Sequence, residues 1–484
     1  MMHSAWGRTE GTRRAVAVVG SALGAAVRRA PFSEVCTVRR MNTGSTSDKK
    51  IKSSRLSKFH TLDIPARVAA LEKAGFLTSE TRAALEGQGL ALADANNMIE
   101  NVLATFGVPM GVALNMTVNG KDYVVPMVLE EPSVVAAVGN IARMIRPSGF
   151  TATSDDPIMI GQIHLREVGD IEAAKAALEA NFDKLTDLAH GIQPRLLARG
   201  GGMRGMEVKK LVYDEPGEVR EETLVLNFFM DCRDAMGANM INTTAEHLAP
   251  HVEQLANAKV GIKILSNLAD RRLVRAGVTI PVERLATSTL DGMQVAQAIA
   301  AAYRFAYADP YRACTHNKGV MNGIDPVIIA TGNDWRAIEA GAHAYAARDG
   351  RYKPLASWKV VASNLVGHIA LPMQVGVVGG TIKNHPTAGA ALKLLDVSGA
   401  QELGQVIAAV GLAQNLAALR ALASEGIQRG HMSMHARGLV ARVLPDDASQ
   451  EMRALVLRLL IESKDVKEAR ALEIYHSLMS PDLQ

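Results

Sequence analysis

The chain has 484 residues, of which 48% are hydrophobic, 21% charged and 4% aromatic, and its formal net charge is +4. That length exceeds one compact core, so two or more domains are expected, and the composition excludes a disordered or fibrous chain. Lys and Arg are dispersed among acids, leaving no electrostatic footprint for nucleic acid, so a small-molecule partner is expected.

Residues 1–50 are poor in acids and hold an apolar stretch, Ala15 to Val27, between Arg13-Arg14 and Arg28-Arg29. Arginines rather than a small-residue cleavage site follow it, which argues against a secretory signal. A mitochondrial-type presequence fits better. An upstream start, with Met41 as the working initiator, is the preferred reading of this disordered or targeting-like extension. The same stretch is the nearest approach to the ~20 apolar residues that span a bilayer, so no membrane insertion is expected. Cys36, Cys232 and Cys314 are odd in number and irregularly spaced, which supports neither a disulfide framework nor zinc, and fits a reducing compartment.

From Ser57 to Gly107 the pattern is helical, in segments starting near Pro65, Thr78 and Leu92, most opening on a polar cap or early proline. Gly111 to Leu129 reads as a hairpin turning at Asn119-Gly120. Glu130-Glu131-Pro132 follows, then an Ala/Val-rich helix, Ser133 to Met144, and a Gly/Ser/Asp loop ending near Asp156, a plausible domain boundary. Residues 157–266 alternate strand-like runs (Ile158 to Leu165, Leu224 to Met230) with helical ones (Ile171 to Leu188, Gly237 to Leu255), which describes an α+β insert. The remainder is mainly helix, with a long Ala/Leu helix from Ala400 to Ser424 stopped by Gly426, then a helical tail.

Gly200-Gly201-Gly202-Met203-Arg204-Gly205 satisfies G-x-G-x-x-G, but helix precedes it and strand follows. A Rossmann fingerprint needs the reverse, so a close-packed glycine turn is the better reading. His431 and His435 share helical spacing, but Met432 stands where a metalloprotease has Glu, and Pro250 separates His247 from His251; neither pair is expected to bind metal.

In Thr315-His-Asn-Lys-Gly-Val-Met-Asn-Gly-Ile-Asp325, Lys318 reads either as a solvated loop residue or, beside a carboxylate in a cleft, as a donor to a carbonyl oxygen gaining negative charge. Asp334 precedes the helix Trp335 to Ala346, where N-capping alone explains an Asp. Glu130 and Glu131 are equally explained as acids near a helix N-terminus. General acid work at neutral pH requires burial or a like-charged neighbour, against that helix dipole.

Taken together, Met98-Ile-Glu-Asn-Val, Val128-Leu-Glu-Glu-Pro-Ser-Val-Val-Ala-Ala, Asp234-Ala-Met-Gly-Ala-Asn, Leu265-Ser-Asn-Leu-Ala-Asp, Thr315-His-Asn-Lys-Gly-Val-Met-Asn-Gly-Ile, Ala330-Thr-Gly-Asn-Asp-Trp-Arg and Glu425-Gly-Ile-Gln-Arg-Gly-His-Met resemble hydroxymethylglutaryl-coenzyme A reductases, in family order from about residue 54 to 440. The Glu-Glu-Pro-Ser form is similar to the second, bacterial class, which has no membrane anchor; a cytoplasmic enzyme follows. The resemblance implies an α+β fold: a large, mainly helical substrate-binding domain with a long central helix (51–156 and 267–425), an inserted small non-Rossmann dinucleotide-binding domain (157–266) and a C-terminal flap (426–484). It also implies a homodimer or dimer-based oligomer, with active sites at the subunit interface.

The implied reaction takes two hydrides from NADPH or NADH: the thioester becomes a hemithioacetal, coenzyme A leaves, and the aldehyde is reduced to mevalonate. By motif match, Lys318 stabilises the reacting oxygen, Glu131 supplies it a proton, Asp334 joins their network, and His431 protonates the departing coenzyme A thiolate, a role suited to an imidazole. Ser133, Arg312 and Asn322 match acyl-group positions, and Asp234, Met236, Gly237, Asn239 and Asn267 match cofactor-side or active-site positions. Where NADH-using members can carry a carboxylate before the glycines, this chain has Gln193, with Arg195 and Arg199 nearby. Arginine accommodates a 2′-phosphate, so the sequence leans to NADPH, with NADH and a degradative role as the alternative. A coenzyme A thioester hydrolase or acyltransferase is the rival reading, without a G-x-S-x-G elbow and without a recognisable base for Cys314. A non-catalytic coenzyme A-binding homologue is a third.

Overall fold

A computed structural model describes residues 52–87, 89–424, 426 and 436–479. The extension 1–50, His431 and His435 lie outside the described residues.

Helices α1 (Ile64–Lys73), α2 (Ser79–Glu86) and α3 (Leu92–Met98) come first, and Asp63 and Thr78 cap the first two through their side chains. The hairpin forms as expected: β1 (Met110–Val118) pairs antiparallel with β2 (Lys121–Val128), turning through Asn119 and Gly120 at φ 51° and 79°. Helix α4 (Val134–Ile145) follows. The expected Gly/Ser/Asp loop in fact holds a strand, β3 (Thr151–Ser154). Its four residues carry no apolar alternation of their own and are recruited by pairing with a later strand.

Next come β4 (Ile158–Arg166), α5 (Ile171–Glu179), α6 (Phe182–Ile192), α7 (Pro194–Leu197), β5 (Gly202–Tyr213), β6 (Glu221–Asp231), α8 (Ala238–Ala256) and β7 (Lys259–Ser266). The helix expected over Ile171 to Leu188 is thus two, broken at Ala180-Asn181. Helix α8 runs through Pro250 and brings the His247 and His251 rings to 6.1 Å. The sheet order is β5-β6-β4-β7, antiparallel throughout. It packs with α5, α6 and α8 around a core that includes Ile163, Leu178, Leu185, Phe228 and Leu248.

The chain then forms β8 (Leu273–Pro281), α9 (Gly292–Ala308), α10 (Pro310–Ala330), α11 (Trp335–Ala346), β9 (Ala356–Val361), β10 (Asn364–Pro372), α12 (Gly380–Asn384), α13 (Pro386–Leu395) and α14 (Ala400–Ala423). The second sheet, β3-β8-β10-β9, shares a larger core with α4, α9, α10 and α14. Beyond it, helices Gln450–Ser463 and Glu468–Met479 make a small cluster around Val456, Leu460 and Ile474. The molecule is therefore mixed α+β.

Helix α14 is long and apolar enough to cross a membrane, which the sequence reading overlooked, yet it is mostly buried inside the larger core. It meets α10 at glycines. A Cβ on Gly323 would lie 2.8 Å from Gln414 Cβ and 2.9 Å from the Val410 carbonyl, and one on Gly411 would lie 2.8 Å from Ile324. Overpacking such a contact typically costs about 1–3 kcal/mol.

Helices α10 and α11 are joined by acids. Burial, then a hydrogen bond to Glu339, pushes the Asp325 carboxyl up to about 8, and its Oδ1 is buried without a partner. Burial opposes the charge on Glu339, but hydrogen bonds with His343 (2.5 Å) and Asp325 hold that carboxyl below its usual range. His343 Nδ1 in turn lies 2.6 Å from the Tyr352 hydroxyl. A raised acid contributes stability that is complete below its unfolded pKa and lost as pH rises through the folded value. Asp325→Asn, neutral at every pH, is expected to flatten the pH dependence of the melting temperature between about 4 and 8. A melting curve that still tracks the wild type across that range would remove Asp325 as its source.

Candidate active site

The polar cluster read as a loop is the middle of a 21-residue helix, α10, started by Asp309, whose side chain accepts from Arg312 N, with Pro310 at its first position. Lys318 and Asn322 stand four residues apart and so share a face. Both reach Glu131: Lys318 Nζ donates to Oε2 at 2.7 Å, and Asn322 Nδ2 lies 3.1 Å from each oxygen. Neither residue is buried, with side-chain exposures of 60% for Lys318 and 34% for Glu131, so the pair borders open space.

Glu131 is placed by the end of β2 and by the bend after it. Ser133, the N-cap of α4, has φ 75° and makes no side-chain cap. A non-glycine residue held there costs about 1–3 kcal/mol, a strain that clusters at functional sites. Glu130 is exposed beside the pair.

Arg312 precedes Lys318 by six residues, about 9 Å along the axis. It is half-buried, burial lowers its pKa, and its guanidinium has no hydrogen bond or ion pair with a described residue. A desolvated, unpaired guanidinium is an anion receptor. Asp334 caps α11, accepting from Ala337 N at 3.2 Å, with Arg336 at 3.6 Å. No bond among the described residues joins it to Lys318, so this chain brings Glu131, Lys318 and Asn322 together and leaves Asp334 on the neighbouring turn.

Met236 and Gly237 close the loop between β6 and α8, with Asp234 before them. Gly237 is the α8 N-cap at φ 106°, where no side chain caps the helix, so its first N–H groups are available to an anion. Asn239 is exposed in the first turn of α8. The Asp234 carboxylate accepts from Ala400 N at 3.0 Å and so serves the start of α14. Asn267 is exposed, and its carbonyl accepts from Gln374 Nε2 at 3.0 Å. Gln193 turns toward α8, 3.5 Å from the Met240 carbonyl and from Thr244 Oγ1, while Arg195 and Arg199 are exposed. The glycine run is a tight turn: a Cβ on Gly201 would lie 2.7 Å from the Asp231 carbonyl. Between α6 and α8 a cavity of about 570 Å³ opens, lined by Lys184, Asp187, Leu188, Gly191, Ile192 and His247.

Sequence reasoning missed Arg272, Asn333 and Gln374, which knit these segments together. Arg272 falls in a run of ordinary-looking charges, Asp270-Arg271-Arg272, and nothing local marks which of them is buried. Among the described residues no group of three or more His, Cys, Asp or Glu is placed to hold a metal ion.

Residues 63–436 match the model of the family described as hydroxymethylglutaryl-coenzyme A reductase. A 3-hydroxy-3-methylglutaryl-coenzyme A reductase of Archaeoglobus fulgidus is 45% identical over 408 residues, covering 84% of this chain and 91% of that one. The class II enzyme of Streptococcus pneumoniae, solved bound to NADPH in open conformations, superposes with a TM-score of 0.72 at 42% identity, covering 76% of this chain and 99% of that one. Another structure of the S. pneumoniae reductase gives 0.73 at 40% identity, covering 87% and 99%. On residues, fold and site together, the chain belongs to the hydroxymethylglutaryl-coenzyme A reductase family, in its class II, bacterial-type branch.

Proposed function

We propose that the chain reduces hydroxymethylglutaryl-coenzyme A to mevalonate in two hydride steps, releasing coenzyme A, as a cytoplasmic homodimer in which 51–156 and 267–425 bind substrate, 157–266 bind dinucleotide and 426–484 form the flap. The observation that carries it is the contact of Lys318 and Asn322, on α10, with Glu131, at the bend after β2.

Its chemistry follows from charge. When a thioester or aldehyde carbonyl is reduced, negative charge grows on oxygen, and the ammonium of Lys318, held in place by Glu131, is the donor that stabilises it. Glu131 supplies the proton that the oxygen takes, and Asn322 orients both of its carboxylate oxygens. Arg312, without a hydrogen-bond or ion-pair partner among the described residues, receives the acyl carboxylate, with Ser133 at the strained bend beside the same site. Asp334 adjusts the Lys318–Glu131 pair, and the open side of that pair is where a second subunit brings it within reach. His431 protonates the coenzyme A thiolate. A hydrolase finds less support, since Cys314 is exposed and no activating base is bonded to it among the described residues.

A nicotinamide dinucleotide, when bound, supplies the hydrides. The residues present fit it: the uncapped α8 N-terminus suits a pyrophosphate, with Asp234, Met236, Gly237 and Asn239 around it and Asn267 nearby. Gln193 and Arg195 serve the ribose end, which favours NADPH.

The dimer is supported by an exposed apolar run before β1. Ile99, Leu103 and Phe106 are 66%, 94% and 94% exposed, which is unusual for such large side chains close together.

Three outcomes test this reading. Lys318→Ala should lower kcat by about 10²–10³-fold while hydroxymethylglutaryl-coenzyme A still binds in calorimetry; undiminished turnover sinks the assignment. Followed at 340 nm, NADPH should be consumed faster than NADH, and Arg195→Ala with Arg199→Ala should raise KM for NADPH alone; faster NADH consumption would make both arginines ordinary surface residues. Leu103→Asp with Phe106→Asp should halve the mass seen by analytical ultracentrifugation, and an unchanged dimer would move the interface elsewhere.

A further inference from the structure

Arg272 stands in the connection from β7 to β8, where the chain passes from one hydrophobic core to the other. Only 4% of it is exposed. Its guanidinium ends on backbone carbonyls: Nη1 donates to Ala235 O at 3.1 Å and Met236 O at 3.3 Å, and Nη2 to Val375 O at 2.6 Å. Burial lowers its pKa to about 10, with Asp231 and Asp234 among the groups that oppose the fall, so it remains a cation at neutral pH. A buried cation is costly unless its donors are filled, and here they are filled by two segments remote in sequence.

Those two segments carry the two halves of the proposed chemistry. Ala235 and Met236 form the loop that opens α8. Val375 adjoins Gly376, whose N–H donates to Asn333 Oδ1 at 2.7 Å and whose carbonyl accepts from Asn333 Nδ2 at 3.1 Å, so this segment is bound to the turn that presents Asp334. Val377 N donates to the Asp234 carbonyl at 2.9 Å. A Cβ on Gly376 would lie 2.7 Å from Met236 N, so the two segments are already in contact.

We propose that Arg272 is a positioning residue for hydride transfer: it fixes the dinucleotide-side loop at 235–236 against the 375–377 segment and, through Asn333, against the Asp334 turn. It touches neither reactant. This inference rests on the reductase reading, and it assigns to Arg272 the distance between the nicotinamide side and the substrate side. Lysine keeps the charge, but its three donors sit on one nitrogen and do not reproduce the planar fork whose Nη1 and Nη2 reach the two segments separately.

The test uses the full-length chain with hydroxymethylglutaryl-coenzyme A and NADPH, or NADPH deuterated at the transferred C4 position. Arg272→Lys is expected to lower kcat by about 10–100-fold, the scale of a misplacement near 1 Å, with the dissociation constant for hydroxymethylglutaryl-coenzyme A unchanged and the deuterium isotope effect on kcat increased. Gly376→Ala, which pushes the same loop from the other side and removes no charge, should shift kcat and the isotope effect in the same directions and carries the test if Arg272→Lys does not fold. A loss of activity that merely follows the folded fraction leaves the isotope effect at its wild-type value, and that result, or unchanged kcat, overturns the inference. A wild-type chain that oxidises no NADPH with this thioester overturns the reductase reading and, with it, this role.

Discussion

The close approach of α10 and α14 is the constraint on which the rest of the structure depends. Gly323 and Gly411 let two long helices meet with almost no side chain between them, and everything on α10 inherits its position from that contact. Lys318 and Asn322 lie on the turns just before Gly323, so a shift of the helix pair would move both donors away from Glu131, which is fixed independently by β2 and the strained bend at Ser133. Rigid packing of this kind is what lets exposed side chains hold a defined geometry.

The same helix pair also reaches the other core. The N-terminus of α14 is served by the carboxylate of Asp234, a residue in the loop that leads into α8. One loop therefore closes α14, opens α8, and is bound by Arg272 and by Val377. The two hydrophobic cores are separate in composition, and hydrogen bonds of Arg272, Val377 and Asp234 join segments beside them at this junction. Directional bonds fix distance better than a greasy interface does, which suits the boundary across which the proposed hydride transfer takes place.

Much of this was legible in the sequence, and what was not has physical causes. The hairpin at Asn119-Gly120 and the helices with polar caps declare themselves locally, through turn chemistry and cap chemistry that need no distant partner. Strand β3 exists only because β8 lies beside it. Around Lys318 the sequence leaves a solvated loop residue and a cleft donor both open; the residue is mid-helix, and packing of α10 against α14 overrides the low helix propensity of Gly319, Gly323 and Pro326. Helix α8 likewise continues through Pro250. The candidate site residues rest on resemblance rather than on local signal, because an Asp before a helix or a Glu after a strand has an ordinary explanation every time. Arg272 was missed for a related reason: its function depends on burial and on carbonyls more than thirty positions away, and neither leaves a trace in its neighbours.

Ordinary explanations and functional ones also coincide within the structure. Asp334 is an N-cap, as its position suggested, and that bond is what holds its carboxylate at a fixed place on the turn after α10. Capping consumes one oxygen and leaves the other free to meet a cation, so the cap supports a second role for this carboxylate. Glu131 differs, since Lys318 and Asn322 already satisfy both of its oxygens. Arg312 is the converse case, a half-buried cation with no partner among the described residues. A site that neutralises one cation internally and leaves another unpaired is arranged to receive an anion beside a polarised carbonyl, and an acyl thioester with a free carboxylate at its far end has both features.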